Sequence, residues 1–254
     1  MKKSRLVLLS AALVGFSAFA QEVPVDSKDF STEAKEHPVT PVMLSIADPL
    51  QYPTREIEDV SWSVKGFRWN LFYGNCHEMK GADIGFVAHT GDKMTGFALQ
   101  TVDWVETDFK GAQIGFLGNV VLNDGVGFQL AGLGNYVHGA AKGCQIAPFN
   151  VNGAFDGFQL GAFNWNKGIS TAFEIGVANI NVSELHGWSW GAINYTERLY
   201  GLQLGLVNVV GEVGRGVQIG VFNGAAKFQG VQIGVLNIIP TAPVPVLPII
   251  NGNF

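Results

Sequence analysis

One motif of about eight residues recurs along this chain of 254 residues, at intervals of 14 to 16 residues. In its clearest form the motif begins with glycine, followed by an apolar, a polar, an apolar and a small residue, with asparagine three positions later. The clearest copies begin at Gly201, Gly216 and Gly230. The others begin at Gly66, Gly81, Gly96, Gly111, Gly127, Gly143, Gly157, Ala172 and Gly187. Such a regular period is typical of a repeat architecture.

The alternation within each copy predicts a β-strand rather than a helix. The second and fourth positions are apolar in all twelve copies, as in Trp188 and Trp190. The third position is most often glutamine, namely at Gln113, Gln129, Gln145, Gln159, Gln203, Gln218 and Gln232. One apolar face and one small or polar face give the two-residue period of a strand. The short polar stretches between copies predict turns.

The favoured fold is an all-β, antiparallel transmembrane β-barrel of about fourteen strands, forming one repeat domain over residues 41–254. A spanning strand needs ~9–11 residues, which leaves a few residues of each repeat for a turn. The twelve repeats, with one extra strand at each end, give an even number of strands, as bacterial barrels require. The apolar positions would then face lipid, and the glutamine positions would line a lumen.

Charged residues occupy the third position in three copies, at Arg68, Asp83 and Glu174. They are possible lumen charges, because a charge on the lipid face of a barrel costs about 2–4 kcal/mol at the midplane. Arg68 and Asp83 lie on successive strands and would neutralise one another. A constriction that selects solutes is the other interpretation. We favour neutralisation, since the small residues around these charges make few contacts that would fix a binding geometry.

The alternative fold is a β-solenoid in which each repeat of about 15 residues forms one coil. Every copy has the same phase, so stacking would align identical side chains. Asn208, Asn223 and Asn237 would form one ladder, and the glutamines another. The positive mean hydropathy is also high for a barrel with a wet lumen. Aromatic residues beside the motifs, such as Trp104 and Trp165, favour the barrel instead, as members of an interfacial girdle.

The two ends of the chain predict export. Residues 1–20 are interpreted as a signal peptide, because a basic start precedes an apolar run, and residues 18–20 form a small-x-small cleavage site. Residues 21–40 are polar and lack periodicity, which predicts a flexible N-terminal segment. Phe254 ends the last predicted strand and is interpreted as an assembly signal for an outer-membrane barrel.

The G-x-Q-[IL]-G-x-x-N repeats resemble those of the bacterial surface-repeat proteins, which are exported proteins of Gram-negative bacteria. The lead-in at residues 64–75 and the Pro-rich, aromatic-ended tail also resemble that family. The resemblance covers residues 41–254 and implies location and repeat identity, but it lends no activity. The chain departs from the pattern at Ala172 and Gly96, where we expect irregular pairing or stacking.

The sequence contains no recognisable catalytic motif of the G-x-S-x-G, Walker, H-E-x-x-H or C-x-x-C type. We therefore predict no catalysis, no cofactor and no metal site, and the five histidines are scattered. The net charge of −5 offers no basic surface for nucleic acid. Cys76 and Cys144 lie five repeats apart, too far for a disulfide, so we predict two free thiols.

Taken as a barrel, the chain is expected to be an exported protein of the outer membrane or cell surface with a structural or passive-permeation role. Its partners would be outer-membrane lipid and the barrel-assembly machinery. Taken as a solenoid, it would instead present a repetitive surface for adhesion or for a partner that the sequence does not identify.

Overall fold

A computed structural model of the chain describes residues 37–47, 50–54 and 61–253. Within these ranges there are thirteen β-strands, and no helix that could cross a membrane is present. The strands are β1 (Val39–Ala47), β2 (Leu50–Tyr52), β3 (Ser63–Cys76), β4 (Met79–Thr90), β5 (Met94–Val105), β6 (Phe109–Val121), β7 (Gly125–Ala131), β8 (Gly134–Ile146), β9 (Phe149–Leu160), β10 (Phe163–Asn166), β11 (Ser170–Leu204), β12 (Val207–Ile238) and β13 (Val246–Asn253).

Three sequence predictions concern residues outside these ranges. The signal peptide at 1–20, most of the segment at 21–40 and the assembly signal at Phe254 lie beyond the described residues. The described part begins at residue 37, and β1 already starts at Val39.

The repeats pair in parallel, each with the next repeat along the chain. Gly111 is paired with Gly127, and Gln113 with Gln129, so identical positions stack directly on one another. The chain therefore winds as a β-solenoid with one coil per repeat. The favoured prediction of an antiparallel barrel of about fourteen strands is wrong, and the solenoid alternative is correct.

The first glycine of each repeat explains why the coils stack so closely. Gly216 has a φ of 137°, and a Cβ atom there would overlap the carbonyl oxygen of Gly201 in the preceding coil. Only glycine combines this φ with this close approach. Ala172 is the exception among the repeat starts and has no positive φ. It still pairs in register with Gly157, so the irregularity expected at Ala172 is absent.

Gly96, the other departure from the pattern, also pairs in register with Gly81 and Gly111. The register shifts only further along that coil, between Gln100 and Val102. The extra residue there belongs to the following repeat, between Gly115 and Gly118, and a similar shift occurs between Val137 and Ala140, so the departure at Gly96 brings no irregularity of its own.

Each coil has two arms joined at a corner. The first arm runs from the first to the fifth position of the repeat, and the second arm begins after the corner. Gln203 and Asn208 point into the coil and are fully buried, whereas Leu202 and Leu204 point outward. The predicted alternation is thus correct, with the polar face inside and the apolar face outside.

An apolar core fills the end of the coil that lies opposite the corner. Its largest members stack two residues before a repeat start, at Met79, Met94, Phe109, Phe155, Leu185, Leu199 and Phe228, and all are essentially inaccessible to solvent. The interior therefore has an apolar part at this end and a polar part along the first arm and corner.

Strands of a different kind close the two ends of the stack. β1 runs parallel to β3 and is paired antiparallel with the short β2. β13 is antiparallel to the last coil of β12. The extra strand expected at each end of the repeats is therefore present, in β1 and in β13.

Candidate binding surface and polar interior

Nine asparagines form a continuous ladder through the interior at the corner. The Nδ2 atom of Asn194 donates to Oδ1 of Asn208 at 2.8 Å, and Asn208 donates to Asn223 in the same way. Asn208 also donates to the carbonyl oxygen of Ile219, which fastens the corner to the next coil. The ladder comprises Asn119, Asn135, Asn150, Asn164, Asn179, Asn194, Asn208, Asn223 and Asn237. Each amide donates to the next asparagine, as buried polar groups require, whereas the Oδ1 atom of Asn119 at the start of the ladder has no partner.

The glutamines of the third position form a second ladder beside the asparagines. Gln145 donates to Gln129 at 2.8 Å, and Gln129 donates to Gln113 at 2.7 Å. Gln218 donates to Gln203 at 2.8 Å in a later run. All seven glutamines predicted to line a lumen are instead buried inside the coil. The interior is therefore occupied by side chains and does not form the lumen on which passive permeation would depend.

Glu174 stands at the third position of its repeat, where most copies have glutamine, and its carboxylate accepts hydrogen bonds. Its carboxylate accepts hydrogen bonds from Asn166 at 2.7 Å, from Asn181 at 2.9 Å and from Ser189 at 2.8 Å. Burial raises the pKa of Glu174, while these three hydrogen bonds oppose that rise. The residue predicted as a lumen charge is therefore buried and hydrogen-bonded inside the coil.

Arg68 and Asp83 form a buried ion pair in the first coils. The Arg68 Nε atom donates to Asp83 Oδ1 at 2.9 Å, and its Nη2 atom pairs with Oδ2. The Nη1 atom donates to the Cys76 sulfur at 2.9 Å and to the His89 carbonyl oxygen at 3.0 Å. Burial alone would lower the pKa of Arg68, but Asp83 and Cys76 hold it above its usual value. This geometry agrees with mutual neutralisation of the two charges.

Asp103 is a buried acid that the sequence analysis missed. Gln113 donates to its Oδ2 atom at 2.9 Å. Burial and the negative charge of Asp83 raise the pKa of Asp103 to about 7, against the opposing effects of Arg68 and of hydrogen bonds from Gln113 and the backbone of Trp104. The signal was present in the sequence, because Asp103 stands one repeat before the first asparagine of the ladder.

The outward side chains of the first arm form a continuous apolar surface, here called the first face. It consists of the second and fourth positions of the twelve repeats, all of which are exposed or half-buried. Trp188 and Trp190 are 56% and 57% exposed. Aromatic rings stack along this face, with ring centroids of Phe158 and Phe173 5.8 Å apart.

A second apolar surface lies on the other side of the coil. This second face consists of outward residues of the second arm, namely Val87, Val102, Trp104, Val120, Tyr136, Phe149, Val151, Phe163, Trp165, Ile180, Ile193, Tyr195, Val207, Val209, Phe222, Leu236 and Ile238, and the half-buried His89 lies among them. The corner between the two faces, here called the crest, carries Phe86, Phe116, Leu133, Val177, Leu206, Val221 and Val235, all exposed. Trp104 and Trp165, both predicted for a barrel girdle, are therefore part of the second face.

Surface charges are confined to the remaining side, here called the charged edge. Among the described residues, every charged side chain that is not buried lies within the five residues preceding a repeat start. The acidic members are Glu78, Asp92, Glu106, Asp108, Asp124, Asp156, Glu184, Glu197 and Glu212. The basic members are Lys65, Lys80, Lys93, Lys110, Lys142, Lys167, Arg198, Arg215 and Lys227. Several pair between successive coils, as Lys142 does with Asp156 at 2.9 Å.

Comparisons with protein-family models, with curated proteins and with solved structures find no match. Likeness to the bacterial surface-repeat proteins therefore rests on the repeats themselves. Among the described residues, no three potential metal ligands are grouped together. The chemistry that the geometry does offer is a large apolar surface, bounded on one side by balanced charge.

Proposed function

We propose that the protein is an exported β-solenoid of the envelope of a Gram-negative bacterium, and that it works by presenting a repetitive apolar binding surface. The observation that supports this most directly is the separation of surface charge from the rest of the coil. The first face, the crest and the second face carry no charged side chain in the described coils.

Exposed apolar surface of this extent marks an interaction site in a folded protein. The faces are not needed as a core, because the coil already has its own apolar core and its polar ladders. Export is proposed from the basic, apolar and small-residue pattern of residues 1–20. No catalytic role is proposed, since the buried acids are engaged in the interior.

Cell fractionation with matched variants tests this function. We expect the full-length protein in the envelope fraction. A variant with Leu204→Glu, Ile219→Glu and Ile233→Glu on the first face should move to the soluble fraction, because charge there disables the surface. A control with Gln229→Glu, on the exposed charged edge, should stay in the envelope. Wild-type protein in the cytoplasm, or retention of the folded triple variant, would contradict the proposal.

A further inference from the structure

The apolar surface surrounds three sides of each coil, and this arrangement restricts what can cover it. The first face, the crest and the second face follow one another around the coil. A flat partner, including a second copy of this chain, would cover one face and leave the others in water. Hydrocarbon chains are fluid and can cover all three sides at once.

The width of the coil matches half of a membrane. Five steps separate the first position of a repeat from the crest at the sixth. At ~3.3 Å per residue along a strand, they span about 16 Å. Half of the ~30 Å hydrocarbon core of a bilayer is ~15 Å. A coil standing upright in one leaflet would therefore bring its crest to the midplane and keep its charged edge among the headgroups.

The polar groups of the coil are compatible with that environment. Backbone groups must be satisfied internally where lipid surrounds a protein, because each unsatisfied group costs several kcal/mol there. Parallel pairing of successive coils satisfies those of the arms. The amide side chains bond to one another inside the coil, as Asn223 does to Asn237 at 2.8 Å.

We propose that the solenoid lies within one leaflet of a lipid bilayer, with its axis parallel to the membrane, its crest at the midplane and its charged edge at the headgroups. Twelve coils spaced by ~4.8 Å would occupy a length of about 53 Å in the membrane plane. This inference rests on the proposed function and names acyl chains as the partner of the binding surface.

Fluorescence quenching in vesicles tests this placement. Full-length protein is reconstituted into phosphatidylethanolamine and phosphatidylglycerol vesicles containing lipids brominated at defined depths. Three variants each keep one tryptophan, at Trp165, Trp188 or Trp190, with phenylalanine at the other tryptophan positions. Trp165 reports the second face, and the other two report the first face.

Acyl-chain quenching of all three tryptophans is expected. Trp190 should lie about 6–7 Å deeper than Trp188, because it is two residue steps further along the strand and nearer the crest. Quenching on one face alone would overturn insertion in favour of a flat contact. If a variant fails to fold, a polarity-sensitive dye on the half-buried Cys144 of the first face provides a second measurement, with a blue shift expected in lipid.

Arginine substitutions separate the crest from the charged edge. Val221→Arg with Val235→Arg places charge at the crest, where both valines are exposed. We expect vesicle binding to fall at least tenfold, since arginine at the midplane is strongly disfavoured. Gln229→Arg adds the same charged group to the exposed charged edge and should bind as wild type does. Equal binding by the crest variant would overturn the placement.

Lipid composition and sedimentation distinguish this inference from the proposed function. Because the charged edge carries as many acidic as basic side chains, binding should change less than twofold between neutral and anionic vesicles. A strong requirement for anionic lipid would overturn the placement. Suppose that the protein does not bind vesicles, and that sedimentation shows a dimer which dissociates in the triple glutamate variant of the first face. The placement in lipid then fails, and the proposed binding surface remains. If the triple variant changes neither vesicle binding nor dimerisation, both the placement and the proposed function fail.

Discussion

Asp103 stacks directly beside Asn119, and in both residues the Oδ1 atom is buried without a hydrogen-bond partner. At each later step of the ladder, an asparagine Nδ2 donates to the Oδ1 of the next residue, as Asn119 does to Asn135 at 2.9 Å. An ionised aspartate has no hydrogen to donate. A protonated Asp103 carboxyl would supply one, and its pKa of about 7 makes the neutral form available.

We predict that the protein loses stability as the pH rises from about 4 to above 7. The ordinary pKa of aspartate is ~3.9 in an unfolded chain. Between that value and about 7, the folded state holds a proton on Asp103 that the unfolded state has released, so increasing pH favours unfolding. Besides burial, the pKa of this carboxyl is raised by Asp83 and lowered by Arg68, Gln113 and the backbone of Trp104. Urea unfolding at pH 5 and pH 8 measures the effect, and a higher midpoint at pH 8 would contradict it.

Asp103→Asn should stabilise the protein at pH 8 by about 1–3 kcal/mol, the cost of a buried polar group left without its partner. Asparagine would donate to Asn119 at every pH, so the dependence on pH should also become flatter. The control is Asp124→Asn on the exposed charged edge, which should change the unfolding midpoint little. Destabilisation by Asp103→Asn at pH 8 would refute the role assigned to the proton.

The alternation of apolar and polar residues predicted the strands and their inward and outward sides, but it could not decide between barrel and solenoid. A barrel strand and a solenoid arm have the same two-residue period. What distinguishes them is that residues such as Gly216 and Asn208 recur at the same position of successive repeats. Only parallel stacking of coils explains this recurrence, because Gly216 then lies against the Gly201 backbone and Asn208 against Asn223.

The candidate surface was harder to predict because it depends on where the chain turns. The sequence places charged residues just before each repeat start. Once the coil is known to have a corner after the fifth position, these residues fall on one side. Arg68 and Asp83 were recognised from their shared third position in the repeat. Asp103 was overlooked because it takes the place of the asparagine in the copy that begins at Gly96, where the motif is weak.

Gln218 and Ile219 distinguish the solenoid from a barrel by their responses to arginine. In the solenoid, Gln218→Arg buries an unpaired charge between Gln203 and Gln232, and we expect a loss of more than about 3 kcal/mol. Ile219 is 40% exposed, so Ile219→Arg should change the free energy of unfolding by less than about 1 kcal/mol. Urea unfolding in the absence of lipid and detergent measures both, so that the side chain at position 219 meets water.

A lumen-lining glutamine would tolerate arginine better than a lipid-facing isoleucine would. The opposite order of stabilities would therefore restore the barrel.

Gly216→Ala should destabilise the protein by about 3 kcal/mol or more. A Cβ atom would meet the Gly201 carbonyl oxygen, and alanine would be held at a φ of 137°. The matched control is Gly91→Ala. The nearest atom to a Cβ there would be the Cys76 carbonyl oxygen, at 3.8 Å, which is an ordinary contact. Thermal unfolding compares the two, and similar melting temperatures would contradict close stacking at the repeat start.

The two cysteines provide a test that needs no substitution, because they lie on opposite sides of the same sheet. Cys76 is fully buried and accepts a hydrogen bond from Arg68 at 2.9 Å, and its burial raises the pKa of the thiol to about 11. Cys144 is half-buried on the first face, and both thiols are free.

In mild detergent, N-ethylmaleimide should modify Cys144 first, and Cys76 should react only at the rate of unfolding, since a thiolate is the reactive species. Mass spectrometry of digests over time locates each modification. Equal rates at both sites would place Cys76 outside the coil, and that would be incompatible with the buried ion pair of Arg68 and Asp83 beside it.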